Sequence, residues 1–474
     1  MAPKWHTVLN HGKTRKGAVL RGWNPEDREQ WESFGRTVAF RNLWVSIPCL
    51  MLAFAIWMVW SVIVVHLPQA GFHYSTTQLF WLAALPGLSG ATLRLVFSFM
   101  VPLFGGRRWT ALSTAALLLP ALGIGLLIRD PQTPYWVMVC LAILCGLGAG
   151  NFASSVANIS FFFPRSEKGT ALGLNAGLGN LGVSLAQFVV PIVITAGVFG
   201  VLGGEPTNAA VERDKQLWLQ NAGLVWVPFV LVAAVAAWIW MDDIVDVRAS
   251  VSEQARVLRD KHSWIMSWLY LGTFGSFVGY SAGFPLLISH QFPTVDPGQY
   301  VFLGPLVGAL MRPVGGWMAD RWGGARVTFW NFVLMTATLL ALIGFVPGTS
   351  GPGNFWGFFL MFMVLFITSG VGNGSTFRMI PSIFLVQRKR ALGRVDVETT
   401  RRAELEASKQ AGTVLGISSA FAAYGAFFIP QSYGASIGVT GSPVSALWVF
   451  ALFYFTCIGL TWWYYSRRFA EVPC

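Results

Sequence analysis

Twelve times along its 474 residues the chain runs through an apolar stretch of about twenty residues, the length that crosses the hydrocarbon of a bilayer. The stretches fall at 42–66, 77–103, 109–128, 134–163, 168–197, 217–241, 263–290, 298–318, 327–347, 355–385, 408–437 and 443–466. In lipid the backbone must bond to itself, so each is expected to be a helix and the fold class an all-α membrane protein with twelve transmembrane helices. A charged fraction of only 11% and a mean hydropathy of +0.56 exclude a soluble domain of this length.

The net charge of +12 invites a nucleic-acid reading, but its distribution gives a simpler one. With both termini placed in the cytoplasm, 27 of the 33 Lys and Arg fall in inner segments. Arg129, Arg213 and Lys215 fall outside, and Arg94, Arg312 and Arg378 within helices. That asymmetry is the positive-inside pattern, so no nucleic-acid partner is expected. The first forty residues are polar and basic and the first apolar run is too long for a leader, so no cleavable signal is expected. Cys49, Cys140, Cys145 and Cys457 lie in the apolar segments and Cys474 is the last residue, which argues against a disulfide framework or a metal site.

Arg94 and Arg312 stand in long apolar surroundings, where a cation costs at least ~2.5–3.5 kcal/mol and is kept to face the protein interior. They also mark a repeat. Arg94 precedes Gly105-Gly106 and Arg312 precedes Gly323-Gly324 by the same eleven residues. Gly150-Asn151 matches Gly372-Asn373, and Gly169-Thr-Ala-Leu-Gly173 matches Gly412-Thr-Val-Leu-Gly416. Ordered matches of this kind predict two six-helix halves, 42–241 and 263–466, with a cytoplasmic arm 1–41, a linker 242–262 and a tail 467–474. Within the arm, 23–27 reads as a turn and 34–40 as an amphipathic helix on the inner surface. The charged stretch 386–407 reads as a loop, and the histidines other than His66 and His290 are assigned to loops.

Gly169, Gly173 and Gly177 recur every four residues and so share a helix face. Close helix packing is the simpler expectation; room for a small ligand is the sharper one. The stretch Gly315 to Asp320-Arg321, Gly323-Gly324 and Arg326 resembles the inter-helix motif of the major facilitator superfamily, in which the acid caps a helix start and ties two helices together.

Arg94, the run Asn151 to Pro164, the segment around Asn180, Tyr270 to Phe277 and Arg312 together resemble the nitrate/nitrite porter family, from about Asn24 to the C-terminus. The resemblance implies a major facilitator fold that carries nitrate and nitrite and needs no cofactor. It implies an anion clamp of Arg94 and Arg312, hydrogen bonds from Asn180 and Tyr270, a sandwich of Phe152 and Phe274, and an approach of helix eleven at Gly416 and Ser419. It further implies a bacterial inner membrane. A monomer is expected. Arg378 departs from the family pattern, where glutamine is expected, and would snorkel to water.

The residues support this independently. Guanidinium is planar, permanently charged and weakly hydrated, as the two anions are flat and weakly hydrated. All 21 Asp and Glu assign to loops or helix ends, which leaves the substrate to supply the counter-charge. No titratable group stands at mid-depth to carry a proton. Two cations ~8 Å apart in one cavity would repel by ~2 kcal/mol at an effective dielectric near 20, so an empty carrier would resist returning. Nitrate entering against nitrite leaving is therefore expected. Proton-coupled nitrate symport by the same site is the rival, and an organophosphate or phosphate exchanger and a passive anion channel are remoter ones. No enzyme is expected: the sequence shows no Ser/His/Asp set, metal cluster or phosphate loop.

Overall fold

The computed structural model describes residues 17–207, 216–245, 258–348, 353–392, 397–472 and 474. The first sixteen residues of the arm, Arg213 and Lys215, linker residues 246–257 and loop residues 393–396 lie outside them.

Among the described residues, twelve helices are long and apolar enough to cross a membrane. They are α1 (Arg28–His66), α2 (Thr76–Phe97), α3 (Gly106–Leu127), α4 (Tyr135–Phe162), α5 (Ser166–Val193), α6 (Asn221–Trp240), α7 (Lys261–Gln291), α8 (Pro297–Trp322), α9 (Gly324–Ile343), α10 (Phe355–Arg388), α11 (Gln410–Thr440) and α12 (Val444–Ser466). The chain divides into two compact units. One holds the residues up to His73 and those from Ser89 to the linker; the other holds Tyr74–Leu88 and everything after the linker. Thus the first part of α2 groups with the second unit, where Gly87 meets the backbone of Ala426 and Phe427.

The internal repeat is visible in how each unit is filled. The most apolar window of α1 is 89% buried and that of its counterpart α7 94%, whereas α6 and α12 are each at 39%. Each unit therefore wraps its first helix and turns its last to lipid.

Three expectations change. The amphipathic segment 34–40 is not a separate surface helix: the helix runs on from Arg28 into α1 through a π-helical turn at Trp31–Gly35. No breaker separates the two, and Val38 and Ala39 are fully buried in a core with Phe162 and Phe163. The charged stretch 386–407 is helical over most of its length, because α10 continues to Leu392 and the helix of α11 begins at Val397. Its Ala, Glu, Lys and Arg are good helix formers, so both helices extend past their apolar parts. His262, assigned to a loop, opens α7 fully buried, with Nδ1 2.9 Å from the Tyr465 hydroxyl.

The arm and the start of the linker lock together. Strand β1 (Val19–Leu20) pairs in parallel with β2 (Asp243–Ile244). Asp242 accepts from Arg41 at 2.7 Å, from Asn42 at 2.8 Å and from the Ala18 N–H at 3.0 Å. Asp243 accepts from the Arg107 N–H at 2.9 Å and Nε at 3.3 Å. Two buried acids are thus matched by arginines of α1 and of the α2–α3 junction, as buried carboxylates must be.

Candidate substrate-binding site

Among the described residues each unit presents one buried arginine, and glycines set its neighbours. In the first unit a Cβ on Gly90, one turn before Arg94, would lie 2.4 Å from the Ala149 side chain and 3.1 Å from the Trp57 indole nitrogen. A Cβ on Gly148 would lie 2.0 Å from the Ala53 carbonyl. These absences let α1, α2 and α4 close around Arg94, which is 1% exposed. Its Nε donates to the Ala149 carbonyl at 3.0 Å. Its guanidinium carbon lies 4.7 Å from the Phe152 ring, 5.3 Å from Trp57 and 5.9 Å from Phe54. Three π faces surround the cation. Asn180 is buried on α5, and its Oδ1 has no hydrogen-bond partner among the described residues.

The second unit repeats the plan with different parts. Gly374 of α10 and Gly315 of α8 leave no room for a Cβ, which would lie 2.1 Å from the Arg312 carbonyl and 2.0 Å from that of Val371. Arg312 is 6% exposed, with its guanidinium carbon 5.2 Å from the Phe377 ring. Its Nη2 donates to the Tyr270 hydroxyl at 3.4 Å, and its buried Nη1 has no hydrogen-bond partner among the described residues. Nor does a carboxylate pair with it there. Tyr270 precedes a π-helical turn, Leu271–Gly275, that contains Phe274, and their rings stack at 5.6 Å and 17°. A π turn inside an α-helix is a frequent companion of functional positions.

The structure therefore joins Arg94 with Phe152, and Arg312 with Tyr270 and Phe274 stacked upon it. Ser419 turns its hydroxyl onto the Gly416 carbonyl at 2.8 Å. The glycine stripe departs from close packing: a Cβ on Gly173, Gly177, Gly412 or Gly416 would meet nothing within 4 Å. Gly179 and Gly182 pack instead, the latter against the Met51 carbonyl. Arg378 does not snorkel alone. It pairs with Asp320, the acid of the inter-helix motif, at 2.5 Å, tying α10 to α8 rather than capping a helix start. Phe54, Trp57 and Phe377 escape a reading of the sequence because nothing separates them from the other aromatic residues of apolar helices.

Residues 22–393 match the family model of the Major Facilitator Superfamily. The nitrate/nitrite transporter NarU of Escherichia coli is 48% identical over 95% of this chain and 96% of its own. The chain belongs to the nitrate/nitrite porter family of that superfamily. A probable nitrate/nitrite antiporter, NarK2 of Thermus thermophilus, is 42% identical over 98% of this chain and all of its own. The crystal structure of a bacterial homologue of the human lysosomal transporter Spinster shares the fold, with a TM-score of 0.61 at 13% identity over 88% of this chain and 95% of its own. This porter is accordingly a multi-pass membrane transporter and not an enzyme.

Proposed function

We propose that this porter exchanges nitrate and nitrite across a bacterial inner membrane by alternating access, the anion being bound by Arg94 of one half and Arg312 of the other. The observation that carries the proposal is the state of Arg312: buried, unpaired with any carboxylate among the described residues, and with a guanidinium nitrogen lacking a hydrogen-bond partner. Leaving such a donor unsatisfied costs ~1–3 kcal/mol, more for a charged group, which a bound oxyanion would recover. A flat oxyanion presents edges to a guanidinium fork and faces to rings, so Phe152 and Phe274 would serve as walls and Tyr270 and Asn180 as further bonding groups. The names of its relatives support the cargo, and that of the Thermus relative supports exchange. The positive-inside distribution supports cytoplasmic termini. The porter would work as a monomer, since each copy contains both halves.

Initial uptake of labelled nitrate into proteoliposomes preloaded with nitrite, chloride or buffer, at two pH values, tests this. Acceleration by internal nitrite alone is expected. Uptake that needs no internal anion and follows an imposed pH gradient would replace exchange by proton symport.

A further inference from the structure

The second unit carries a feature that anion transport does not use. Between Phe329 of α9 and Phe455, Ile458, Gly459 and Trp462 of α12 lies an apolar groove of about 290 Å³. Gly459 opens it, for nothing lies within 4 Å of where its Cβ would stand. The volume is that of roughly ten liquid waters at ~30 Å³ each, enough for part of one acyl chain and too small for a helix.

Arginines gather at one end of this groove. Arg326 precedes Phe329 by three residues, one turn along α9, and is exposed. Arg467 and Arg468 follow the α12 wall directly. The Arg467 N–H bonds the Trp462 carbonyl at 3.1 Å, and its guanidinium carbon lies 4.2 Å from the Trp463 ring. The Arg467 Nε is buried without a hydrogen-bond partner among the described residues. Among the described residues no carboxylate pairs with Arg326, Arg467 or Arg468, although Glu471 nearby in sequence is taken by Lys261 at 2.5 Å. Topology alone would explain basic residues at this end of the chain. It does not explain three cations without an ion-pair partner among the described residues, grouped at the end of a groove flanked by indoles, which favour the headgroup level.

We propose that this groove is a binding site for one anionic glycerophospholipid, an acyl chain lying against Phe329, Gly459 and Phe455 and the phosphodiester at Arg326, Arg467 and Arg468. A zwitterionic lipid fits the groove equally well, but its ammonium cancels most of the attraction to the arginines.

The purified porter in neutral detergent, titrated with phosphatidylglycerol or phosphatidylcholine of equal chain length and followed by native mass spectrometry, tests the site. Preferential retention of one phosphatidylglycerol is expected. The triple variant Arg326→Gln, Arg467→Gln, Arg468→Gln should weaken it roughly a hundredfold, from about fivefold per arginine near a charged headgroup, with nitrate affinity unchanged. Gly459→Leu should lower retention of both lipids with every charge in place. Equal retention of the two lipids by the unaltered porter, or undiminished phosphatidylglycerol binding in either variant, overturns the proposal. If the triple variant does not fold, the unaltered porter and Gly459→Leu still decide.

Discussion

The two buried arginines occupy equivalent places in a duplicated chain but are supported differently. Arg94 lies among three aromatic rings, with Nε bound to a backbone carbonyl. Arg312 has one ring beside it and a long hydrogen bond to a phenol. Ring contact holds a cation in place, so the arginine with three rings around it is the more firmly set. The duplication retained the charge and let its surroundings diverge, giving three rings and a backbone carbonyl in one half and one ring and a phenol in the other.

Lysine substitutions separate these roles. Arg312→Lys should cost about a hundredfold in nitrate affinity, as two charge-assisted bonds at ~1.5–3 kcal/mol each are lost or misaligned, with little change in thermal midpoint. Arg94→Lys should lose affinity and also several degrees of stability, because an ammonium cannot keep both the bond to the Ala149 carbonyl and the contacts with Phe54, Trp57 and Phe152. Binding isotherms and melting curves on both variants read this directly. Identical profiles for the two would break the distinction.

The helix junctions show the same divergence. In the second half the motif acid Asp320 stands on α8 and meets Arg378, with both side chains half exposed. In the first half Pro102 occupies the matching position, and Asp243 arrives from the end of α6 to bind Arg107. Asp243 is 6% exposed and accepts twice from Arg107, with Arg108 Nε 3.7 Å away. Asp243→Asn should therefore destabilise by ~3 kcal/mol, as removing one member of a buried pair does, while Asp320→Asn should stay within ~1 kcal/mol. Equal losses in denaturant titrations would show that burial does not set the difference.

These contrasts mark where the sequence could be read. Arg94 and Arg312 announce themselves because a cation set within twenty apolar residues is too costly to keep unless it faces the protein interior, and twelve spans follow from run length alone. Their supports do not, since one ring among 15% aromatic residues carries no label. Glycine periodicity left two readings open for a related reason. A spacing of four assigns Gly173 and Gly177 to one face but does not say what that face meets. The neighbours decide, and here the packing glycines are Gly179 and Gly182. Gly177→Ala should accordingly be neutral or gain up to ~1 kcal/mol of helix propensity, whereas Gly182→Ala, with a Cβ 1.9 Å from the Met51 carbonyl, should lose ~1–3 kcal/mol. Losses of equal size would restore the packing view of the stripe.

The smallest expected effect sharpens the comparison most, because it alters one atom. Tyr270→Phe keeps the ring that stacks on Phe274 and removes only the oxygen that accepts from Arg312. Two consequences oppose each other. An anion loses one hydroxyl donor, which should cost ~1 kcal/mol or about fivefold in affinity. Arg312 loses a partner and so has more unmet bonding capacity to offer, which should return part of that loss. Nitrate affinity should therefore fall by less than the like change at Asn180, where no arginine bond is released, and double variants with Arg312→Lys should be non-additive. Simple additivity would mean that Tyr270 and Arg312 address the anion independently, and the hydrogen bond between them would then have no part in recognition.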